Sequence, residues 1–287
     1  MTHAGIELGG TKTVVAIGSP QGEVTEEHRY PTTTPEETMA TAVDWLRNRG
    51  TPAAIGIASF GPVAILPAHP QFGHMLETPK PGWSGAPVLA PLADAFPAAK
   101  LTLDTDVNAA ALAEAGHGGA AAGMQDVIYI TIGTGLGAGI LTGGHLVHGV
   151  MHPECGHFKP ARAPGDEKFP GVCPFHGDCL EGLASGPAIA KRWGKPAAEL
   201  PPDHPAWDVQ AWYLAHAALA FTAVVSPRRI VIGGGVSQAE GLHAKTTRIL
   251  RELGAGYFSQ IDADPEFICP PRLGQQAGIR GALLLTA

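Results

Sequence analysis

Charge is scarce in this sequence, and positive charge is the scarcest. Of 287 residues, 19 are Lys or Arg against 26 Asp or Glu, a formal charge of −7 at pH 7. Binding to a phosphate backbone needs a basic face, so this balance argues against nucleic acid as the main partner. No block of Lys and Arg marks a membrane-facing surface, and no apolar run is long enough to cross a bilayer. The opening residues Met1-Thr2-His3-Ala4-Gly5 lack the basic region and apolar core of a signal peptide. Cysteine is scarce as well, and four in such a length are too few for a disulfide scaffold. Two of them sit in a metal-like cluster while Cys155 and Cys269 are left over, which fits a reducing compartment. The expectation is a soluble cytoplasmic protein with neither nucleic acid nor membrane as partner.

What the chain does have is glycine and proline, with 38 and 26 copies, as a compact, loop-rich protein needs. Its length suits one large domain or two medium ones sharing a cleft. The most informative stretch runs from His157 to Cys179. It holds His157 in Glu154-Cys155-Gly156-His157 and then Cys173-Pro174-Phe175-His176-Gly177-Asp178-Cys179. Two thiols and two imidazoles so close in sequence can close a tetrahedral zinc shell, and four protein ligands without an open position mean a structural ion. An ordinary reading is a buried Cys pair with incidental histidines, but Cys-x2-His-x2-Cys with an upstream His is unusual enough to favour metal. The other histidines, including His117, His145, His148, His204 and His216, show no such grouping and read as ordinary surface or core residues.

Apolar residues 4–8 form a strand that turns at Gly9-Gly10-Thr11-Lys12 and resumes over 13–17. Thr34-Pro35-Glu36-Glu37 is a capping box ahead of a stripe of Met39, Ala42, Val43 and Leu46 that Gly50 ends. Residues 53–60 read as a buried strand running into Gly61-Pro62, and 73–91 as an irregular loop crossing the surface. A strand at 100–103 and a helix at 107–115 flank Asp104-Thr105-Asp106. The second half opens in the same way, with a strand at 126–132, a turn at Gly133-Thr134-Gly135 and a strand at 137–142. A helix follows at 209–225, then a strand at 229–232 ending in Gly233-Gly234-Gly235, and a closing helix at 275–285. That echo between the halves predicts two similar α/β lobes around a cleft, where ligands commonly bind.

The glycine turns offer consecutive N–H groups with no Cβ in the way of a phosphate. Neither a Walker A loop nor the Rossmann spacing is present. A single glycine turn is ordinarily just a turn; three together favour phosphate chemistry. Asp106 could cap the helix that follows or accept a proton from a substrate hydroxyl, and phosphoryl transfer asks little more of a protein than positioning and such a carboxylate. The residues alone leave both open. Glu154 and Glu181 flank the zinc segment; they are either solvated surface acids or acceptors for the vicinal hydroxyls of a sugar.

Taken together these residues resemble the ROK family (repressor, open reading frame, kinase) of sugar kinases. The long signature Ile132-x2-Gly135-Leu136-Gly137-x-Gly139-Ile140, eight residues, Gly149, three, Pro153, two, Gly156-His157 is matched throughout. The resemblance spans Glu7-Leu8-Gly9-Gly10-Thr11-Lys12 to Pro271-Arg272-Leu273-Gly274. It implies an α/β, two-lobed actin-like ATPase (ribonuclease H-like) fold with an interlobe cleft. One lobe would be 1–115 plus 271–287 and the other 116–270. The resemblance further implies Asp106 as catalytic base; Gly61, Thr105, Asn108, Glu154, His157 and Glu181 on the sugar side; and Gly9, Gly10, Thr11, Lys12, Gly133, Thr134, Gly234 and Gly235 on the nucleotide. His157, Cys173, His176 and Cys179 would hold zinc. ATP, Mg²⁺ and a structural Zn²⁺ are the implied cofactors, a hexose the substrate and a homodimer the assembly. Glu7, Thr105, Ser59-Phe60-Gly61-Pro62, Thr78-Pro79-Lys80-Pro81-Gly82-Trp83 and His176 resemble the bacterial fructokinases of the family more than its glucokinase-like members. The expected activity is therefore phosphorylation of fructose at its 6-hydroxyl. A mannokinase or broad hexokinase is the nearest alternative, and a sugar-responsive regulator a remote one, because the 9–12 hairpin begins too near the first residue for a preceding helix-turn-helix.

Overall fold

The computed structural model describes residues 2–287. The first part of the chain runs β1 (His3–Leu8), β2 (Lys12–Gly18), β3 (Val24–Pro31), α1 (Pro35–Arg47), β4 (Ala54–Ser59), α2 (Ala90–Ala95), β5 (Lys100–Thr105) and α3 (Asp106–Ala115). It continues through β6 (Val127–Ile132), β7 (Leu136–Thr142), β8 (His145–Leu146), α4 (Leu180–Ala184), α5 (Gly186–Trp193), α6 (Ala206–Val225), β9 (Arg229–Gly233), α7 (Leu242–Gly254), α8 (Ser259–Ala263) and β10 (Ile268–Cys269), and closes on α9 (Ala277–Leu284). Two compact units result. One comprises 2–119, Leu146–Pro153 and Leu273–Ala287; the other comprises Ala120–His145 and Glu154–Arg272.

Each unit holds a five-stranded sheet, ordered β3-β2-β1-β4-β5 in the first and β10-β9-β6-β7-β8 in the second. Numbered from its own first strand and read in one direction, each sheet has the order 3-2-1-4-5. The strand–turn–strand echo in the sequence is thus the start of a repeated topology. In both sheets the first two strands pair antiparallel and the first and fourth pair parallel.

In the first unit Ile6, Leu8, Ile55 and Ile57 are fully buried and pack with Met39 and Leu46 of α1. Burying one such side chain contributes roughly 1.5–3 kcal/mol. On another core cluster Val14, Ala16 and Ala58 meet Ala109 of α3 and Ile279 and Ala282 of α9. Here the helices approach closely, since a Cβ on Gly281 would lie 2.0 Å from the Ala109 carbonyl oxygen. Thr34 caps α1 by accepting the Glu37 N–H, while the Glu37 carboxylate turns to the Thr33 hydroxyl at 2.9 Å.

Two expectations need correcting. The 73–91 loop is irregular, but it does not merely cross the surface: Met75, Trp83 and Val88 are fully buried. Trp83 packs edge-on against Phe60 and donates its indole N–H to the Thr33 carbonyl, so the loop supplies core to its unit. The second difference is Leu146–Pro153, which lies in sequence between parts of the second unit yet packs with the first. No helix among the described residues is long and apolar enough to cross a membrane.

Candidate active site

Strand register decides where the chemistry sits in each unit. In the first, Leu8 pairs with Ser59 and Ser59 with Thr105, all on parallel strands. Gly9, Phe60-Gly61 and Asp106 therefore leave one sheet edge together. The carboxyl ends of parallel strands are where open α/β sheets bind ligands. Gly9 N–H closes the 9–12 turn on the Lys12 carbonyl at 3.1 Å, leaving Gly10 and Thr11 exposed at its tip. The Lys80 ammonium reaches the Gly10 carbonyl at 2.6 Å, bringing a second lysine to the 9–12 turn across seventy positions, beyond any local sequence signal. Behind the turn, Glu7 is half-buried with its Oε2 shut away from solvent and without a hydrogen-bond partner, and desolvation pushes its carboxyl above the usual range despite Lys12 and Arg29 nearby.

The capping question at the β5–α3 junction has a clear answer. Thr105 is the N-cap, its hydroxyl accepting the Asn108 N–H at 3.2 Å. Asp106 is the first helical residue, with Oδ1 accepting the Val107 N–H at 2.8 Å. Asn108 is 1% exposed and turns its amide to Asp104 Oδ1 at 2.8 Å, the oxygen that also accepts the Thr105 N–H. Asp104 Oδ2 in turn faces His148 Nε2 at 2.8 Å. His148 is therefore not an ordinary surface histidine; its partner lies 44 residues upstream, beyond the reach of any local pattern. The Asp104 carboxylate raises the His148 pKa above its usual value. On the same segment His152 is buried and accepts the Val63 N–H at 3.3 Å, just after Gly61 and Pro62; desolvation lowers its pKa.

In the second unit, Thr131 pairs with Gly233, so the 133–134 and 234–235 turns also share one edge. Gly234 has φ +89°, and a Cβ there would stand 2.3 Å from the Ile132 carbonyl oxygen, so only glycine fits. Gly235 and Val236 border a cavity of about 210 Å³ lined also by Leu200, Pro202 and Trp207. Glu181, at the start of α4, accepts the Leu136 N–H through Oε2 at 3.0 Å and so pins the glycine hairpin. Glu154 lies near it: partial burial first, and the Glu181 charge second, push the Glu154 carboxyl up to about 7.

The donor atoms of His157, Cys173, His176 and Cys179 lie within 4.8 Å of one another. Cys173 Sγ is 3.8 Å from His157 Nδ1 and 3.6 Å from His176 Nδ1, and Cys179 Sγ is 3.5 Å from His157 Nδ1. A tetrahedral zinc with Zn–S of about 2.3 Å and Zn–N of about 2.0–2.1 Å needs S···N edges of roughly 3.5 Å. The four residues thus fit zinc in both donor type and spacing. The Gly182 N–H points at Cys179 Sγ and the His176 N–H at Cys173 Sγ, donors that would support the sulfurs as thiolate ligands of a metal. His157 turns its other nitrogen towards Glu154, 3.8 Å away. The base of the loop is tied by a two-pronged Arg192–Asp166 pair at 2.8 and 3.1 Å, to which Tyr213 adds its hydroxyl.

Two sheets of one strand order, each with glycine turns at the carboxyl ends of its parallel strands, define the actin-like ATPase class of fold. The chain belongs to the ROK family, whose model matches residues 3–287. It is 43% identical to a fructokinase of Zymomonas mobilis over 98% of this chain and 94% of that one. A fructokinase of Pediococcus pentosaceus is 42% identical, with 99% and 97% covered. Among solved structures, a ROK hexokinase from Thermus thermophilus superposes with a TM-score of 0.80 at 25% identity, covering 100% of this chain and 98% of that one.

Proposed function

We propose that this chain transfers the γ-phosphoryl group of ATP, taken as its Mg²⁺ complex, to the 6-hydroxyl of fructose. One observation carries the reading: a helix-start carboxylate, Asp106, leaves the same sheet edge as the 9–12 glycine turn. With β4 between them the two are two strand spacings apart, about 10 Å. The choice of fructose draws on the near full-length likeness to fructokinases, which stands beside Thr105 and His176.

Asp106 takes the proton of the 6-hydroxyl as that oxygen bonds to the γ-phosphorus, and the bond to the β–γ bridging oxygen breaks to release ADP. A general base of this kind contributes about 10²–10⁴-fold. In the first unit Gly10, Thr11 and Lys12 offer a phosphate backbone N–H groups, a hydroxyl and an ammonium; in the second unit Gly133 and Thr134 offer backbone N–H groups and a hydroxyl. Gly9 closes the first of these turns, and Gly234 and Gly235 meet the nucleoside. In the second unit Glu154, Glu181 and His157 are the candidates for contact with sugar hydroxyls; in the first unit Gly61, Thr105 and Asn108 flank Asp106 on its sugar side. His157, Cys173, His176 and Cys179 would hold a structural zinc, which when bound contributes folding free energy.

The test is product analysis by phosphorus NMR with ATP and fructose. Fructose 6-phosphate and ADP should accumulate in equal amounts, and only when sugar is present. ADP release indifferent to sugar, or phosphate on another carbon, would contradict the proposal.

A further inference from the structure

The contact between His148 and Asp104 has no part in the roles above. Asp104 is 3% exposed and its carboxylate is saturated in one direction: Oδ1 accepts Thr105 N–H at 2.7 Å and the Asn108 amide at 2.8 Å. Those two residues frame Asp106 on either side. The orientation of the carboxyl plane then rests on Oδ2 and its contact with His148 Nε2 at 2.8 Å.

Core packing does not account for His148. Its side chain is 31% exposed, and its neighbour Val150 is 93% exposed. The Leu146–Pro153 segment nevertheless packs with the first unit. It does so with two imidazoles aimed at two functional turns. His148 meets the 104–108 turn, and His152 accepts the Val63 N–H of the turn that holds Gly61. A segment needed only for stability would be expected to bury apolar side chains there.

We propose that His148 is a positioning residue of the transfer reaction, holding Asp104 through Nε2–H and thereby fixing the turn that carries Asp106. The inference rests on Asp106 being the base. Without the imidazole, a buried carboxylate oxygen loses its donor, the Asp104 plane is free to rotate, and both Oδ1 contacts slacken. Misplacing a catalytic group by about 1 Å can cost on the order of 10²-fold.

The test compares kcat and KM of the full chain with His148→Ala, His148→Gln and Asp106→Asn, using fructose and ATP. His148→Ala should lower kcat by about 10- to 100-fold, with KM for ATP within about twofold. His148→Gln, whose side-chain amide can still donate to Asp104, should restore most of kcat. The titratable groups facing His148 are Asp104 from β5 and His152 from its own segment. In the wild type kcat should fall as pH rises through the raised His148 pKa, because the neutral imidazole holds the carboxylate less firmly; His148→Gln should lack that limb. The proposal is overturned if folded His148→Ala keeps kcat within about twofold, or if His148→Gln is as impaired as His148→Ala. Should His148→Ala not fold, persistence of the alkaline limb in His148→Gln overturns it. Asp106→Asn separates the two claims. If it retains turnover, the base assignment fails and the positioning role falls with it. If it is inactive while His148→Ala is not, only the positioning role fails.

Discussion

At the residue scale, the junction between β5 and α3 shows how few atoms decide the chemistry. Thr105 takes the capping duty, so Asp106 does not have to serve as the cap itself. Asp104, Asn108 and His148 then form a polar chain behind it. The same contact has a consequence for stability. His148 has a folded-state pKa raised above its unfolded value, so its contribution is fully present below the unfolded pKa of about 6.5 and is lost as pH rises through the folded value. The difference in melting temperature between wild type and His148→Ala should therefore be largest at mildly acid pH and shrink on the alkaline side. A difference that grows with pH would show that the imidazole is not the charged partner. The His148 link of this chain could not be read along the sequence, because its partner lies 44 positions away.

At the element scale, the cluster of His157, Cys173, His176 and Cys179 is the feature with the clearest signal in the sequence. Its four members lie close in sequence, so spacing alone brings their donor atoms near one another, and the tight Cys173–Gly177 turn completes the arrangement. The loop also acts on its surroundings: Cys179 caps α4, and two residues later Glu181 grips the hairpin at Leu136. Removing the ion, or Cys179→Ala, should lower stability by more than about 4 kcal/mol, roughly 10 °C or more in a chain of this size. Calorimetry with metal content measured on the same samples checks this; unchanged melting after verified metal removal would rule out a structural ion. Other elements were hidden for identifiable reasons. β3 is a polar edge strand, Val-Thr-Glu-Glu-His-Arg-Tyr-Pro, with little apolar alternation. α7 begins after Gly241 with no side-chain cap, and its buried stripe of Leu242, Thr246, Ile249 and Leu250 includes a threonine. Trp83 lies in a loop rich in glycine and proline, where burial comes from Phe60 across the unit and not from periodicity.

At the scale of the whole molecule, the repeated strand order places glycine turns at equivalent edges of two sheets, and Asp106 at one of them. The motifs were visible in the sequence as separate turns; that the turns of each sheet leave one edge together is a property of strand register within that sheet. The return of Leu146–Pro153 to the first unit is a further long-range feature with no local signal. Phosphorylation of fructose at the expense of ATP is tested most directly by kcat/KM for fructose, mannose and glucose at one saturating ATP concentration. Fructose should give the highest value, by at least about tenfold, the effect of roughly 1.4 kcal/mol of differential transition-state binding. An equal or higher value for mannose or glucose would contradict it.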